Sequence, residues 1–81
     1  MPIHEYQIRL RILHAAKFLA TSDTKVDAVA RVVGFRSKKN FYSAFRRLIG
    51  LAPSTVRRWS VPELDRLEQK LRARSLRGRN L

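Results

Sequence analysis

Apolar positions recur every three or four residues through most of this 81-residue chain, so it reads as helical. Ile8, Ile12, Ala15, Ala16 and Leu19 form one stripe of a first helix over 2–20, opposite Glu5, Arg9, His14 and Lys17. Pro2 suits its start, and Thr21-Ser22-Asp23 ends it, because three short polar side chains compete for the backbone. Thr24 with Asp27 three residues on predicts a capping box. It opens a second helix over 25–33, whose stripe is Val26, Val29, Ala30 and Val33. Gly34 falls where a helix end takes a left-handed residue, Phe35 and Arg36 complete a turn, and Ser37 caps a third helix over 38–49. On its wheel Phe45, Leu48 and Ile49 lie within about 80° of Phe41. Lys39, Ser43, Arg46 and Arg47 cluster on the far side, with Asn40 and Tyr42 on the flanks. Gly50 ends that helix, and Pro53 opens a short fourth one over 54–59. Ser60 with Glu63 marks another capping box, before a last helix from about Pro62 to Arg74 with Leu64, Leu67 and Leu71 as its stripe. Residues 75–81 are short and basic, and are expected to fray. The fold class is all-α, divided into a helix-turn-helix unit over 1–59 and a C-terminal helix with basic tail over 60–81.

The charge is what singles out part of this pattern. Eighteen Lys and Arg against six Asp and Glu give a net +12. Residues 24–59 hold nine cations against Asp27 alone, a net +8, whereas residues 1–23 carry +1 and residues 60–81 carry +3. Solubility requires no such one-sided distribution, so the central helices are expected to face a polyanion, nucleic acid first. The last helix alternates in sign, which suits a solvated face. Absence of cysteine excludes disulfides, thiolate nucleophiles and Cys-based zinc sites. His4 and His14 stand ten residues apart without an acidic ligand set, and no Ser/His/Asp arrangement is recognisable. No enzyme activity, cofactor or metal is therefore expected. No apolar run approaches the ~18 residues of a membrane span, and no signal-peptide pattern opens the chain. A cytoplasmic, nucleoid-associated location without membrane contact is the expectation.

A short helix, a turn containing Gly34 and a basic amphipathic helix make a helix-turn-helix, whose second helix enters the DNA major groove. The stretch Val26-x-x-Val29-Ala30-x-x-x-Gly34-Phe35-x-Ser37 resembles the second helix-turn-helix of the AraC/XylS transcription regulators. It continues in that family's spacing as Phe41-x-x-x-Phe45-Arg46-x-x-x-Gly50-x-x-Pro53-x-x-x-Arg57. Upstream, Arg11-Ile12-x-x-Ala15-x-x-Phe18-Leu19 is similar to the family's linker helix. The match covers roughly residues 8–58. Relatives usually carry two helix-turn-helix units, one on each side of the linker helix, often with a sensing domain. The present chain opens at the linker-like stretch, so the first unit is expected to be missing.

The resemblance implies base contacts from positions matching Lys38, Lys39, Tyr42 and Ser43. The wheel adds Asn40 and Arg46 to that face and sets Lys38 nearer the core, though the first helical turn still reaches a groove. The base-facing set is thus Lys38, Lys39, Asn40, Tyr42 and Ser43, and the phosphate set is Lys25, Arg36, Arg46 and Arg57. Ser43, where many relatives carry Arg or another long polar residue, reads bases weakly. The phenylalanines fall on apolar stripes and are expected in the core, and Trp59 between the fourth and last helices. The last helix admits three uses: a cap on the core, a dimer seam, or a lipid-facing surface. Capping fits its narrow stripe best, while a two-fold dimer would supply two readers about 34 Å apart.

The reading is sequence-specific binding of double-stranded DNA and regulation of transcription, with partners that include a second copy, RNA polymerase or another regulator. Two rivals stand beside it. One is a non-specific nucleoid or nucleic-acid binder. The other is a protein-interaction module acting through the last helix.

Overall fold

The computed structural model describes the backbone of residues 2–80 and the side chains of residues 2–72. Within them the chain forms five helices and no strand: α1 Ile3–Thr21, α2 Val26–Val32, α3 Lys38–Ile49, α4 Pro53–Val56 and α5 Val61–Asn80. The all-α expectation holds. α5 runs on to Asn80, past the expected end near Arg74, so the backbone of 75–80 continues the helix where a frayed tail was expected, and Leu81 lies outside the described residues.

α1 is the axis, and it touches all four other helices. Ile12, Leu13, Ala15, Ala16 and Leu19 are buried on it, so the apolar face is wider than the stripe read from sequence. Leu13 joins the core because α1 is covered on several sides. Arg9, expected on the solvent face, is buried for the same reason. The helix stops where Thr21 Oγ donates to the Lys17 carbonyl (2.7 Å) and Ser22 Oγ to that of Phe18 (2.9 Å). Both hydroxyls bond back one turn, and Ser22 turns extended.

The predicted Thr24–Asp27 capping box does not form. α2 starts one residue later than expected, with Lys25 at its N-cap and no side-chain cap bond. Thr24 N–H instead donates to Ser22 Oγ (3.3 Å), and Asp27 turns away to Lys38 Nζ (2.9 Å). The far end of α2 follows the sequence. Phe35 N–H donates to the Ala30 carbonyl and Gly34 N–H to that of Arg31, the paired bonds of a Schellman motif, with Gly34 at φ 103°. Ser37 Oγ then accepts the Asn40 N–H (3.2 Å), and α3 begins on the next residue after Ser37, as its capping role requires.

Phe41, Phe45 and Leu48 are buried beneath α3, and Phe41 meets Phe35 edge-on with ring centres 5.4 Å apart. α4 is shorter than expected, ending at Val56 before a turn that brings in Trp59. Trp59 is half-buried against the core, in keeping with its predicted place between α4 and α5. The second capping box forms only in its returning half: the Ser60 N–H donates to Glu63 Oε1 (2.7 Å), which holds that carboxyl below its ordinary range, while Ser60 Oγ donates to the same oxygen (3.0 Å) instead of accepting the Glu63 N–H.

Leu64, Leu67 and Leu71 are buried, so the apolar stripe of α5 is consumed within the chain as a cap on the core. Glu68 Oε1 accepts from Lys17 Nζ (2.8 Å) on α1 beside this seam. Removing α5 would therefore strip the core rather than free an accessory. Leu67→Ala is expected to lower unfolding free energy by about 2–5 kcal/mol, measured by urea denaturation followed by circular dichroism. A variant as stable as the parent would show that α5 is peripheral.

Candidate nucleic-acid interface

The apolar residues of α3 set its roll. With Phe41, Ala44, Phe45 and Leu48 facing inward, Lys39, Asn40, Ser43, Arg46 and Arg47 must face out, and all five are exposed. Lys39, Arg46 and the side chains of Asn40 and Ser43 have no ion pair or hydrogen bond among the described residues. Arg46 and Arg47 lie in the last turn, where the carbonyl end of the helix favours positive charge. An exposed helix face with unengaged cations, an amide and a hydroxyl has the width and chemistry that fit a DNA groove.

The other predicted site residues are placed less uniformly. Lys25 is exposed at the start of α2 and Arg36 is exposed in the turn. Lys38 is exposed but paired with Asp27, whose carboxylate raises the Lys38 amino group above its ordinary value. Tyr42 is half-buried on the flank of α3, edge-on to Phe41 at 5.8 Å. Arg57 departs furthest from the phosphate role given to it. Its guanidinium is half-buried, donating from Nη1 to the Ser22 carbonyl (2.9 Å) and from Nη2 to that of Thr24. It clamps the α1–α2 loop, committing two of its five N–H donors to the backbone.

Two cations missing from the predicted set stand at the same surface. Arg47 Nη1 and Nη2 donate to Glu5 Oε2 (3.1 Å) and Oε1 (3.2 Å), a two-pronged pair from α3 to α1. Arg9 Nε lies 3.3 Å from the same Oε2 but is not aligned to donate, and its buried Nε and Nη1 have no hydrogen-bond partner. Glu5 is thus the counter-charge to a buried arginine and an exposed one. The Arg47 hydrogen bonds, more than the charges of Arg47 and Arg9, hold its carboxyl below the ordinary 4.5 against the opposing effect of burial. Arg11 is exposed on α1 and lies across Gly34. No spacing within one helix announces either contact, since each joins residues more than twenty positions apart.

The sequence pattern of a helix-turn-helix domain family matches residues 1–58, most of the chain. The chain belongs to the AraC-type helix-turn-helix family. That family comprises DNA-binding transcription regulators, and this AraC-type chain is similar to several. It is 32% identical over 60 residues to the melibiose operon regulatory protein of Escherichia coli K12, covering 74% of this chain and 20% of the relative. It is 39% identical over 57 residues to the HTH-type transcriptional activator AarP of Providencia stuartii, covering 70% of this chain and 42% of AarP. The probable transcriptional regulator LumQ of Photobacterium leiognathi is 37% identical over 51 residues, covering 63% of this chain and 21% of LumQ. The chain thus spans between a fifth and two fifths of these relatives. No solved structure matches it. The aligned family segment ends before α5, so the packing of α5 on α1 is read from this chain alone.

Two outcomes follow. Arg57→Ala is expected to lower stability by about 1–3 kcal/mol by leaving two half-buried carbonyls unbonded, and Arg57→Lys to recover little, because an ammonium does not reproduce the fork. Equal melting temperatures for parent and Arg57→Ala would return Arg57 to the phosphate set. Glu5→Gln is expected to cost about 1–3 kcal/mol at pH 7. Because the folded-state pKa of Glu5 is lowered, its contribution is complete above the ordinary 4.5 and is lost as pH falls through the lowered value. Urea unfolding at pH 7 and pH 3 checks this: the gap between parent and variant should close on acidification.

Proposed function

We propose that the chain binds double-stranded DNA with α3 in the major groove and regulates transcription from the sequence it reads. The observation that carries the reading is the outward row of α3, Lys39, Asn40, Ser43 and Arg46, free of partners among the described residues and capped at Ser37. A helix of this width fits a groove about 12 Å across, and residues near its N-terminal end meet base edges. Lys39, Asn40 and Ser43 face the bases, Lys38 joins them once it leaves Asp27, and Tyr42 borders them from the flank. Lys25, Arg36 and Arg46 reach phosphates. Lys39 can donate to guanine and Asn40 can pair with adenine, whereas the short Ser43 hydroxyl discriminates little. Specificity therefore rests on the first turn and a half of α3.

A charge-driven binder without sequence preference is the reading to beat, because +12 alone attracts any polyanion. Selection from a random duplex library at about 150 mM salt separates the two. One enriched short motif is the expected result, and a pair of motifs about ten base pairs apart would add a two-fold dimer. Binding that fades with salt and enriches nothing would sink the sequence-specific reading. On the enriched duplex, Lys39→Ala should cost about 1–3 kcal/mol of discrimination at one position. Arg46→Ala should weaken all duplexes alike and reduce the log–log salt slope by about 0.9.

A further inference from the structure

A helix seated in the major groove has a phosphate wall on each side. On the α3 wheel Asn40 and Arg47 fall about 20° apart along one edge. That edge opens into a groove of about 480 Å³ between α1 and α3, lined among others by His4, Arg11, Arg36, Asn40, Ser43 and Arg47. No carboxylate lines it among the described residues. When the Lys39–Ser43 row points at base edges, the strand bordering that edge has to pass this groove.

We infer that the α1–α3 groove is the seat of one DNA strand's backbone, with Arg11 and Arg47 as phosphate ligands and Arg36 at its end. The inference rests on α3 being the major-groove reader. Gly34 has a second task in it. A Cβ there would lie 3.3 Å from Arg11 Nε and 3.5 Å from Cζ, so the bare glycine lets the Arg11 side chain lie flat over the turn. Arg11 is thereby laid along the same wall as Arg36. Its guanidinium has no ion pair or hydrogen bond among the described residues, so it is ready to take a phosphate. Arg47 is ready in a different sense. Its two-pronged contact to the Glu5 carboxylate has the geometry a phosphate would accept, and a strand in the groove exchanges one anion for the other. Glu5 retains Arg9 as its counter-charge after the exchange. The α1 helix then belongs to the DNA-binding surface as well as to the core.

The test is fluorescence anisotropy with a mixed-sequence duplex of about 30 base pairs, from 50 to 250 mM salt, on parent, Arg11→Ala, Arg11→Lys, Arg47→Ala and Arg46→Ala. Loss of one phosphate contact removes about 0.9 from the salt slope, which is about fivefold in affinity at 150 mM. Arg11→Ala and Arg47→Ala should each show that loss, and Arg11→Lys should retain the parental slope. Parental affinity and slope in Arg11→Ala, with the expected loss in Arg46→Ala, would overturn the inference and leave the reader assignment standing. Absence of duplex binding by the parent would remove both. Should Arg47→Ala lose its helical signal because Glu5 and Arg9 are disturbed, Arg11→Ala decides the matter, since Arg11 has no hydrogen bond or ion pair to lose among the described residues.

Discussion

The roll of α3 about its own axis is the constraint on which the interface depends. Twelve residues have to bury one side and present the other, and a rotation of one residue's worth, about 100°, would carry phenylalanine into solvent and arginine into the core. Phe41 and Phe45, both fully buried, forbid that rotation, and Phe35 wedges edge-on against Phe41 from the preceding turn. The turn is held at both ends. Gly34 supplies the positive φ that lets α2 stop with its carbonyls bonded, and Ser37 fixes the first residue of α3. Recognition chemistry on the outer side is therefore positioned by apolar contacts on the inner side. Neither could be shifted alone.

The roll is referred in turn to α1. A single helix pair of this size has too little apolar surface to be stable by itself, and the chain answers by wrapping every other helix around one axis. α2 and α3 pack on α1 from one direction, while α5 brings Leu64, Leu67 and Leu71 to the core. Arg57 ties α4 to the loop between α1 and α2 through two backbone carbonyls. The outcome is that residues far from α3, on α5 and in the Arg57 clamp, belong to the same packed core that holds α3 in place.

Local signals made much of this legible in the sequence. The Ser37 cap, Gly34, Gly50 and the 3.6-residue period of Phe41, Phe45 and Leu48 are all contained within α3 and its flanks, so its bounds and its outward face could be read directly. What could not be read was created by distant neighbours. Thr24 and Asp27 have the composition of a capping box, yet Asp27 is drawn to Lys38 and the Thr24 carbonyl to Arg57. Arg9 has the period of a surface residue, but α1 is covered on more sides than one amphipathic stripe requires. Arg57 carries the right charge for a phosphate, but two of its N–H groups are bonded to the backbone of the α1–α2 loop. Asp27 and Arg57 found their partners across the fold and Arg9 was covered by neighbouring helices, and periodicity holds no record of either kind of contact.

The carboxylates supply the last step. Only one acid lies among residues 24–59, and its pairing with Lys38 adjusts the start of α3. Glu5, from α1, does the same near the other end through Arg47. Both pairs are solvent-accessible on the cation's side, so each cation can exchange its partner. Between them the middle of the row, Lys39, Asn40, Ser43 and Arg46, is left without an acid. An anion approaching α3 therefore meets an unopposed centre first, and engages the two ends only by displacing a carboxylate. Such an arrangement grades the charge along the helix, with an unopposed centre between two flanks whose cations already face a carboxylate. It also separates the two kinds of acid in the chain, since Glu63 and Glu68 serve the cap and packing of α5, whereas Glu5 and Asp27 stand where phosphate would compete with them.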